Sequence, residues 1–276
     1  MITLLEVIRR STHYLAERQI ENPRRASEEV IADALGVRRL DLYLQFDRPL
    51  TEKELHPLRE VIARRAEHEP TAYIAGKVSF GGVELQVDSS VLIPRPETEI
   101  LVETIAETLQ GLPLDGKVLW DMCCGSGCIG LALKNRFPQL TVALSDISSE
   151  ALSTAQKNSA PYNISFKKGD LFTPFLGEMC DFFVCNPPYV TEKEFCQLDP
   201  EVKDWEPRLA LVAGPTGLEF YARIARELRD YLRPGGKAWL ELGSGQGSAV
   251  KDLFAAQNWQ GEILPDWAGH DRFLII

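Results

Sequence analysis

Val118-Leu119-Trp120-Asp121-Met122-Cys123-Cys124-Gly125-Ser126-Gly127-Cys128-Ile129-Gly130 is a short apolar run that closes on an acidic residue, passes a glycine-containing turn and opens a helix. A strand feeding a helix through glycines lets backbone approach a ligand closely, and the helix N-terminus favours a carboxylate or phosphate. A plain tight turn reads the same way in isolation. Two acidic residues add to it: Asp121 ends this strand, and Asp146, 19 residues beyond Gly127, follows the next one, Thr141–Ser145. In doubly wound folds an acidic residue at that place binds ribose hydroxyls. The spacing therefore points to an adenosine-containing cofactor and leaves both NAD and S-adenosylmethionine open. The turn fits G-x-G-x-x-G only if the strand ends later than its apolar run. D-x-x-x-G-x-G is the methyltransferase style, in which the glycine loop wraps the amino-acid part of the cofactor and Asp121 holds its ammonium, directly or through water.

From Leu112 onward β-rich runs alternate with helical ones. Val118–Trp120, Leu131–Asn135, Thr141–Ser145, Ser149–Asn158, Ile164–Lys167, Phe182–Cys185, Glu219–Leu232, Lys237–Leu242 and Ala249–Ala256 predict a parallel sheet covered on both faces. The first 70 or so residues read instead as helices. Leu4, Leu5, Ile8, Thr12 and Leu15 share a helical face, Ala26–Leu35 repeats the pattern before Gly36, and Thr51-Glu52-Lys53-Glu54 is a capping box ahead of Leu55, Leu58, Val61 and Ile62. Between these regions, Tyr73–Val87 is strand-like, with alternating Val83, Leu85 and Val87 after Gly81-Gly82, and predicts a hairpin linker. No internal repeat or low-complexity tract interrupts the chain.

Asp181-Phe182-Phe183-Val184-Cys185-Asn186-Pro187-Pro188-Tyr189 is an apolar strand ending in Asn-Pro-Pro-Tyr at the sheet edge where doubly wound folds keep their chemistry. Two prolines fix φ and remove N–H groups, leaving a rigid loop that suits acceptance of hydrogen bonds from a substrate NH2. An amide or exocyclic amino nitrogen is a poor nucleophile, whereas a sulfonium methyl is a strong electrophile, so positioning outweighs activation. The Asn186 side-chain oxygen and the Pro187 carbonyl can each accept one N–H bond and stabilise developing positive charge. Tyr189 can stack on the planar group and exclude water. Gly169-Asp170-Leu171-Phe172, after the third strand, is placed to give Asp170 as an edge contact and Leu171 as an apolar wall for adenine.

The 276 residues are 45% hydrophobic and 25% charged, enough apolar material for a proper core, and exclude wholesale disorder and collagen-like repeats. Residues 1–76 hold 12 Lys+Arg against 13 Asp+Glu and the remainder 18 against 27, so a stable, sequence-independent nucleic-acid complex is not expected. The six cysteines form no C-x-x-C pair and lie far in sequence from the four histidines, which predicts reduced thiols and no metal. No apolar run reaches membrane-helix length, and Met-Ile-Thr-Leu-Leu-Glu-Val-Ile-Arg-Arg has no basic stretch before its apolar residues, so a cytoplasmic protein is expected.

Over nearly its whole length the chain resembles the HemK/PrmC group of protein-(glutamine-N5) methyltransferases. The resemblance rests on Asn186-Pro187-Pro188-Tyr189, Glu69–Gly76, Val91-Leu92-Ile93-Pro94-Arg95-Pro96-Glu97-Thr98-Glu99, Glu206–Leu211, Gly214 with Gly217-Leu218, Arg233–Gly236 and Ala268–Arg272. It implies an α/β fold, with a Rossmann-like S-adenosylmethionine-dependent domain over 96–276, a small all-helical substrate-recognition domain over 1–72 and a β-hairpin linker over 73–95. It implies cofactor contacts from Asp121, Cys123, Cys124, Gly125, Ser126, Gly127, Asp146, Asp170, Leu171 and Asn186. The substrate would sit at Asn186, Pro187, Pro188 and Tyr189, with Asn186, Pro187 and Tyr189 catalytic. The implied substrate is the glutamine of the Gly-Gly-Gln motif in peptide chain release factors, modified by a cytoplasmic monomer. The chain departs from the group at Cys123, where glycine is usual. Arg95 and Glu97 either order the cofactor pocket or form a linker ion pair, His270 and Asp271 shape the turn before the last strand, and Glu241 caps the loop after Ala238–Leu240. The same catalytic loop would also serve a glutamine of a ribosomal protein, or an exocyclic amino group of a nucleic-acid base.

Overall fold

The computed structural model describes residues 2–276. The chain divides into two compact units, one running to Lys77 and taking in Asp199–Trp205, the other comprising Val78–Leu198 and Glu206–Ile276.

The first unit is helical: α1 (Leu4–Glu17), α2 (Pro23–Leu35), α3 (Glu52–Ala66) and the single turn α4 (Thr71–Ala75). Capping boxes start α1 and α3, Thr3 with Glu6 and Thr51 with Glu54, and Gly36 ends α2 in the left-handed conformation. The buried stripe of α1 is Leu4, Val7, Ile8, Ser11 and Leu15. Leu5 and Thr12, expected on that face, are only partly buried, because 100° steps from Leu4 bring positions 7 and 11 closer to its centre. The strand-like reading of Tyr73 also gives way: Pro70 and left-handed Gly76 bracket a helical turn there. Buried Arg65 pairs with Glu201, which ties Asp199–Trp205 into this unit.

The second unit opens with the hairpin β1 (Lys77–Phe80) and β2 (Val83–Gln86), turned by Gly81 and Gly82, both at positive φ. There follow α5 (Pro96–Leu109), β3 (Val118–Met122), α6 (Cys128–Arg136), β4 (Thr141–Asp146), α7 (Ser149–Asn158), β5 (Ile164–Lys168) and β6 (Cys180–Cys185). An insertion carries β7 (Val190–Thr191), α8 (Glu192–Phe195), α9 (Pro200–Lys203), α10 (Arg208–Leu211) and β8 (Val212–Gly214). The unit closes with α11 (Glu219–Glu227), β9 (Leu232–Glu241), α12 (Gly247–Ala256), β10 (Glu262–Pro265) and β11 (Asp271–Ile275).

Seven strands form one sheet in the order β10-β11-β9-β6-β3-β4-β5; β9, β6, β3, β4 and β5 run parallel, and β10 and β11 are antiparallel additions. Period-two alternation divides the side chains between two cores: Leu119, Leu144 and Val184 on the α5 and α6 side, Trp120, Met122 and Phe183 on the α11 and α12 side. The chain leaves β3 toward β4 on one side and is flanked by β6 on the other. This is the switch point whose carboxyl edge holds ligands in open α/β sheets. Among the described residues no helix is long and apolar enough to cross a membrane.

Candidate active site

A cavity of about 260 Å³ opens at that edge, entirely within the second unit. Strand register explains why distant residues meet there. Met122 pairs with Ser145 on one side and with Cys185 on the other, so Cys123, Asp146 and Asn186 emerge side by side. The cavity wall includes Cys123, Cys124, Gly125, Ser126, Asp146, Asp170, Leu171, Asn186 and Pro188 of the residues singled out from sequence. Asp121, Gly127, Pro187 and Tyr189 are not on it.

Asp146 organises the glycine loop. Its Oδ2 accepts the Gly125 N–H at 3.0 Å and its Oδ1 the Ser148 N–H at 2.9 Å, while the Ser148 hydroxyl caps α7. Burial raises its carboxyl above the ordinary range against the pull of these amides. Gly125 and Gly127 take φ of +52° and +81°. A Cβ on Gly127 would stand 2.9 Å from Leu144 Cδ1 at a φ that L side chains rarely adopt, which favours glycine there; one on Gly125 would meet nothing within 4 Å.

Asp121 is buried beneath the loop and accepts the Gly130 N–H at 2.8 Å, capping α6 from the end of β3. Burial, aided by the nearby Asp146 charge, pushes its pKa up to about 7. A raised folded-state pKa contributes stability that is complete below about pH 4 and disappears as pH rises through about 7. At about 1.4 kcal/mol per unit, that is on the order of 4 kcal/mol from this one carboxyl. Asp121→Asn keeps an acceptor for Gly130 and does not ionise. Its melting temperature should therefore fall less between pH 5 and pH 8 than that of the natural sequence; parallel declines in calorimetry would contradict the assignment.

Cys123 takes φ +58°, and Leu171 takes +47°. A left-handed residue with a Cβ costs about 1–2 kcal/mol, a strain that glycine avoids. Cys123→Gly should raise the melting temperature by about 2 °C, since the greater chain entropy of glycine offsets part of the relief. A lowered melting temperature would show that the thiol's contacts outweigh the backbone strain.

In the loop after β6, Pro187 and Pro188 are buried and the Tyr189 ring packs against the α11 and α12 core. Burial pushes the Tyr189 phenol up to about 12, and the Gln246 side chain holds the Tyr189 carbonyl at 3.0 Å. Glu241 does not cap a loop: its carboxyl is buried, accepts the Thr98 hydroxyl at 2.7 Å, and is pushed up to about 7 by burial. Arg95 lines the cavity and pairs with buried Glu206, whose other oxygen accepts the Ile93 N–H at 3.1 Å, so its partner is not Glu97. Asp170 is held by Arg223 at 2.8 Å. The turn at His270 is shaped by Asp266, which accepts the Ala268 and His270 amides.

Sequence reasoning missed Thr98, Ser145, Ile147, Leu209, Phe220 and Arg223, all on the cavity wall. Ser145 and Ile147 flank Asp146 and were readable from it. The others come from α5, α10 and α11, whose approach to the edge no local pattern announces.

A family model described as "PrmC N-terminal domain" matches residues 6–76, and one described as "Methyltransferase small domain" matches residues 96–198. The chain is 45% identical over 273 residues to a release factor glutamine methyltransferase of Chlamydia trachomatis, covering 98% of this chain and 93% of the relative. It is 40% identical over 255 residues to a protein of the same name from Geobacter sulfurreducens, covering 92% of this chain and 88% of that one. In fold it resembles a methyltransferase from Pyrococcus furiosus, with a TM-score of 0.51 at 17% identity over 70% of this chain and 88% of that chain.

Proposed function

Because this chain belongs to the release factor glutamine methyltransferase family, we propose that it transfers a methyl group from S-adenosylmethionine to the side-chain amide nitrogen of the glutamine in the Gly-Gly-Gln motif of peptide chain release factors. The observation that carries this reading is the convergence of an Asp146-held glycine loop and Asn186 on one cavity at the sheet's carboxyl edge.

The residues present suit the cofactor. Ser145 Oγ is buried on the cavity wall without a hydrogen-bond partner, and Ser126 Oγ has only the weakly polar Cys128 thiol. Unsatisfied polar groups in a cavity await a polar ligand. When bound, the cofactor supplies a sulfonium methyl group electrophilic enough for a neutral amide. Cys123, Cys124, Gly125, Ser126 and Gly127 would wrap its amino-acid part, and Asp121, buried beneath the loop, would act on the ammonium from behind it, through water and in its ionised form. Asp146 retains lone pairs for ribose hydroxyls, while Leu171 and Asp170 would flank the adenine. Asn186 Oδ1 and the Pro187 carbonyl accept the two N–H bonds of the substrate amide, with Pro188 fixing the loop and Tyr189 excluding water. The amide nitrogen would form the new N–C bond as the methyl's bond to sulfur breaks, leaving a neutral thioether, and would afterwards release one proton to water, so acceptors suffice and no strong base is required.

Residues 1–72 serve substrate recognition, 73–95 link, and 96–276 catalyse; the protein acts as a cytoplasmic monomer without a stable nucleic-acid partner. The excess of acidic residues beyond residue 76, 27 against 18 basic, supports the last point. Methyl-labelled S-adenosylmethionine tests the reading. Label should enter a Gly-Gly-Gln peptide and not its Gly-Gly-Glu counterpart; label in neither, with cofactor bound, would transfer the substrate to a ribosomal protein or a base amino group.

A further inference from the structure

Asn186 can accept a hydrogen bond from the substrate amide only if its own NH2 is turned away, and a terminal carboxamide has two flipped states of nearly equal shape. Something must break that symmetry. Register supplies the neighbour: Cys185 pairs with Leu240 across β6 and β9, so Asn186 and Glu241 leave the sheet side by side. Cys185 and Leu240 both enter the α11 and α12 core, so alternation turns Asn186 and Glu241 together toward the α5 side, where Thr98 meets Glu241.

Glu241 is itself held. It is 2% exposed, Thr98 from α5 donates to its Oε2 at 2.7 Å, and its main-chain carbonyl accepts the Tyr221 hydroxyl at 2.9 Å. Ionised, as it is above about pH 7, this carboxylate offers acceptors only. Facing it, the amide must present Nδ2 and leave Oδ1 toward the cavity. The flipped state sets oxygen against oxygen on one side and a donor against a substrate donor on the other, leaving buried groups unpaired.

We infer that Glu241 is a positioning residue for methyl transfer: it fixes the flip of the Asn186 carboxamide so that the acceptor oxygen faces the substrate nitrogen. The inference rests on the role of Asn186 proposed above, and turnover by the natural sequence on a Gly-Gly-Gln peptide tests that role separately and first.

Glu241→Met fills the site without an acceptor, whereas Glu241→Gln keeps a carbonyl that can accept from Asn186 while Thr98 turns its hydroxyl to receive the new NH2. With cofactor affinity by calorimetry unchanged, Glu241→Met should lose about 30- to 100-fold in kcat with little change in peptide KM, and Glu241→Gln should stay within about 5-fold of the natural enzyme. A purely structural carboxylate would not separate kcat from cofactor binding in this way. Undiminished kcat in Glu241→Met overturns the inference, as does Glu241→Gln failing as badly as Met. Should the Met variant not fold, the natural protein decides by NMR. The Asn186 NH2 protons should be shifted downfield and protected from exchange, and free-amide positions with fast exchange would overturn it.

Discussion

Asn186→Ala is expected to reduce turnover by at least about 10³-fold while cofactor affinity changes by less than about 3-fold. The asymmetry follows from where Asn186 stands. It is on the cavity wall at the end of β6, but the contacts that shape the glycine loop come from Asp146 on β4 and from Asp121 on β3. Deleting the Asn186 carboxamide removes one of the two acceptors proposed for the substrate amide and leaves those contacts untouched. On the proposed mechanism the remaining Pro187 carbonyl would fix one N–H and leave the nitrogen free to swing, which would cost alignment with the methyl group as well as one charge-stabilising bond. A variant with near-natural kcat would remove Asn186 from the mechanism; one that no longer binds cofactor would reassign it to holding the pocket together.

Asp146→Ala should have the complementary signature, a cofactor Kd raised by about 100-fold as the dominant effect. Three interactions go at once: the proposed ribose contacts, the hold on the Gly125 amide and the hold on the Ser148 amide. The loop then loses the acceptor that keeps its left-handed Gly125 conformation in place. Stability should suffer less than affinity. The carboxyl is held above its ordinary range by burial, so its removal also relieves a desolvation cost. Calorimetric titration with S-adenosylmethionine decides the matter, and an affinity within about 3-fold of the natural one would rule out the ribose role.

Much of this was legible in the chain because local rules and global fold agree. The two capping boxes of the helical unit can be read as Thr-x-x-Glu alone, and Asp121 and Asp146 are given away by lying at or one residue before the ends of their strands. Asn186-Pro187-Pro188-Tyr189 stands out because two prolines directly after an apolar strand make a rigid loop at the sheet edge where doubly wound folds keep their chemistry. α5 is a different case: its signal, Pro96 in the first turn with Leu101, Val102, Ile105 and Leu109 on one face, is present but is eclipsed by the conspicuous Ile-Pro-Arg-Pro-Glu-Thr-Glu run. Glu241 was beyond reach. Nothing near residue 241 marks it as a partner of residue 186; only the parallel pairing of β6 with β9 does. The same holds for Glu201, whose pairing with Arg65 joins residues far apart in sequence within the first unit. Strain at Cys123 was half visible, as a cysteine where glycine is usual, and the φ of +58° gives it a physical cause.

Mass spectrometry of an intact release factor after incubation with this protein and S-adenosylmethionine bears most directly on the central claim. A gain of one methylene mass is expected, localised by fragmentation to the glutamine of Gly-Gly-Gln and absent with Asn186→Ala. A methyl group on any other residue, or an unmodified factor under conditions where cofactor binding is verified, would contradict it.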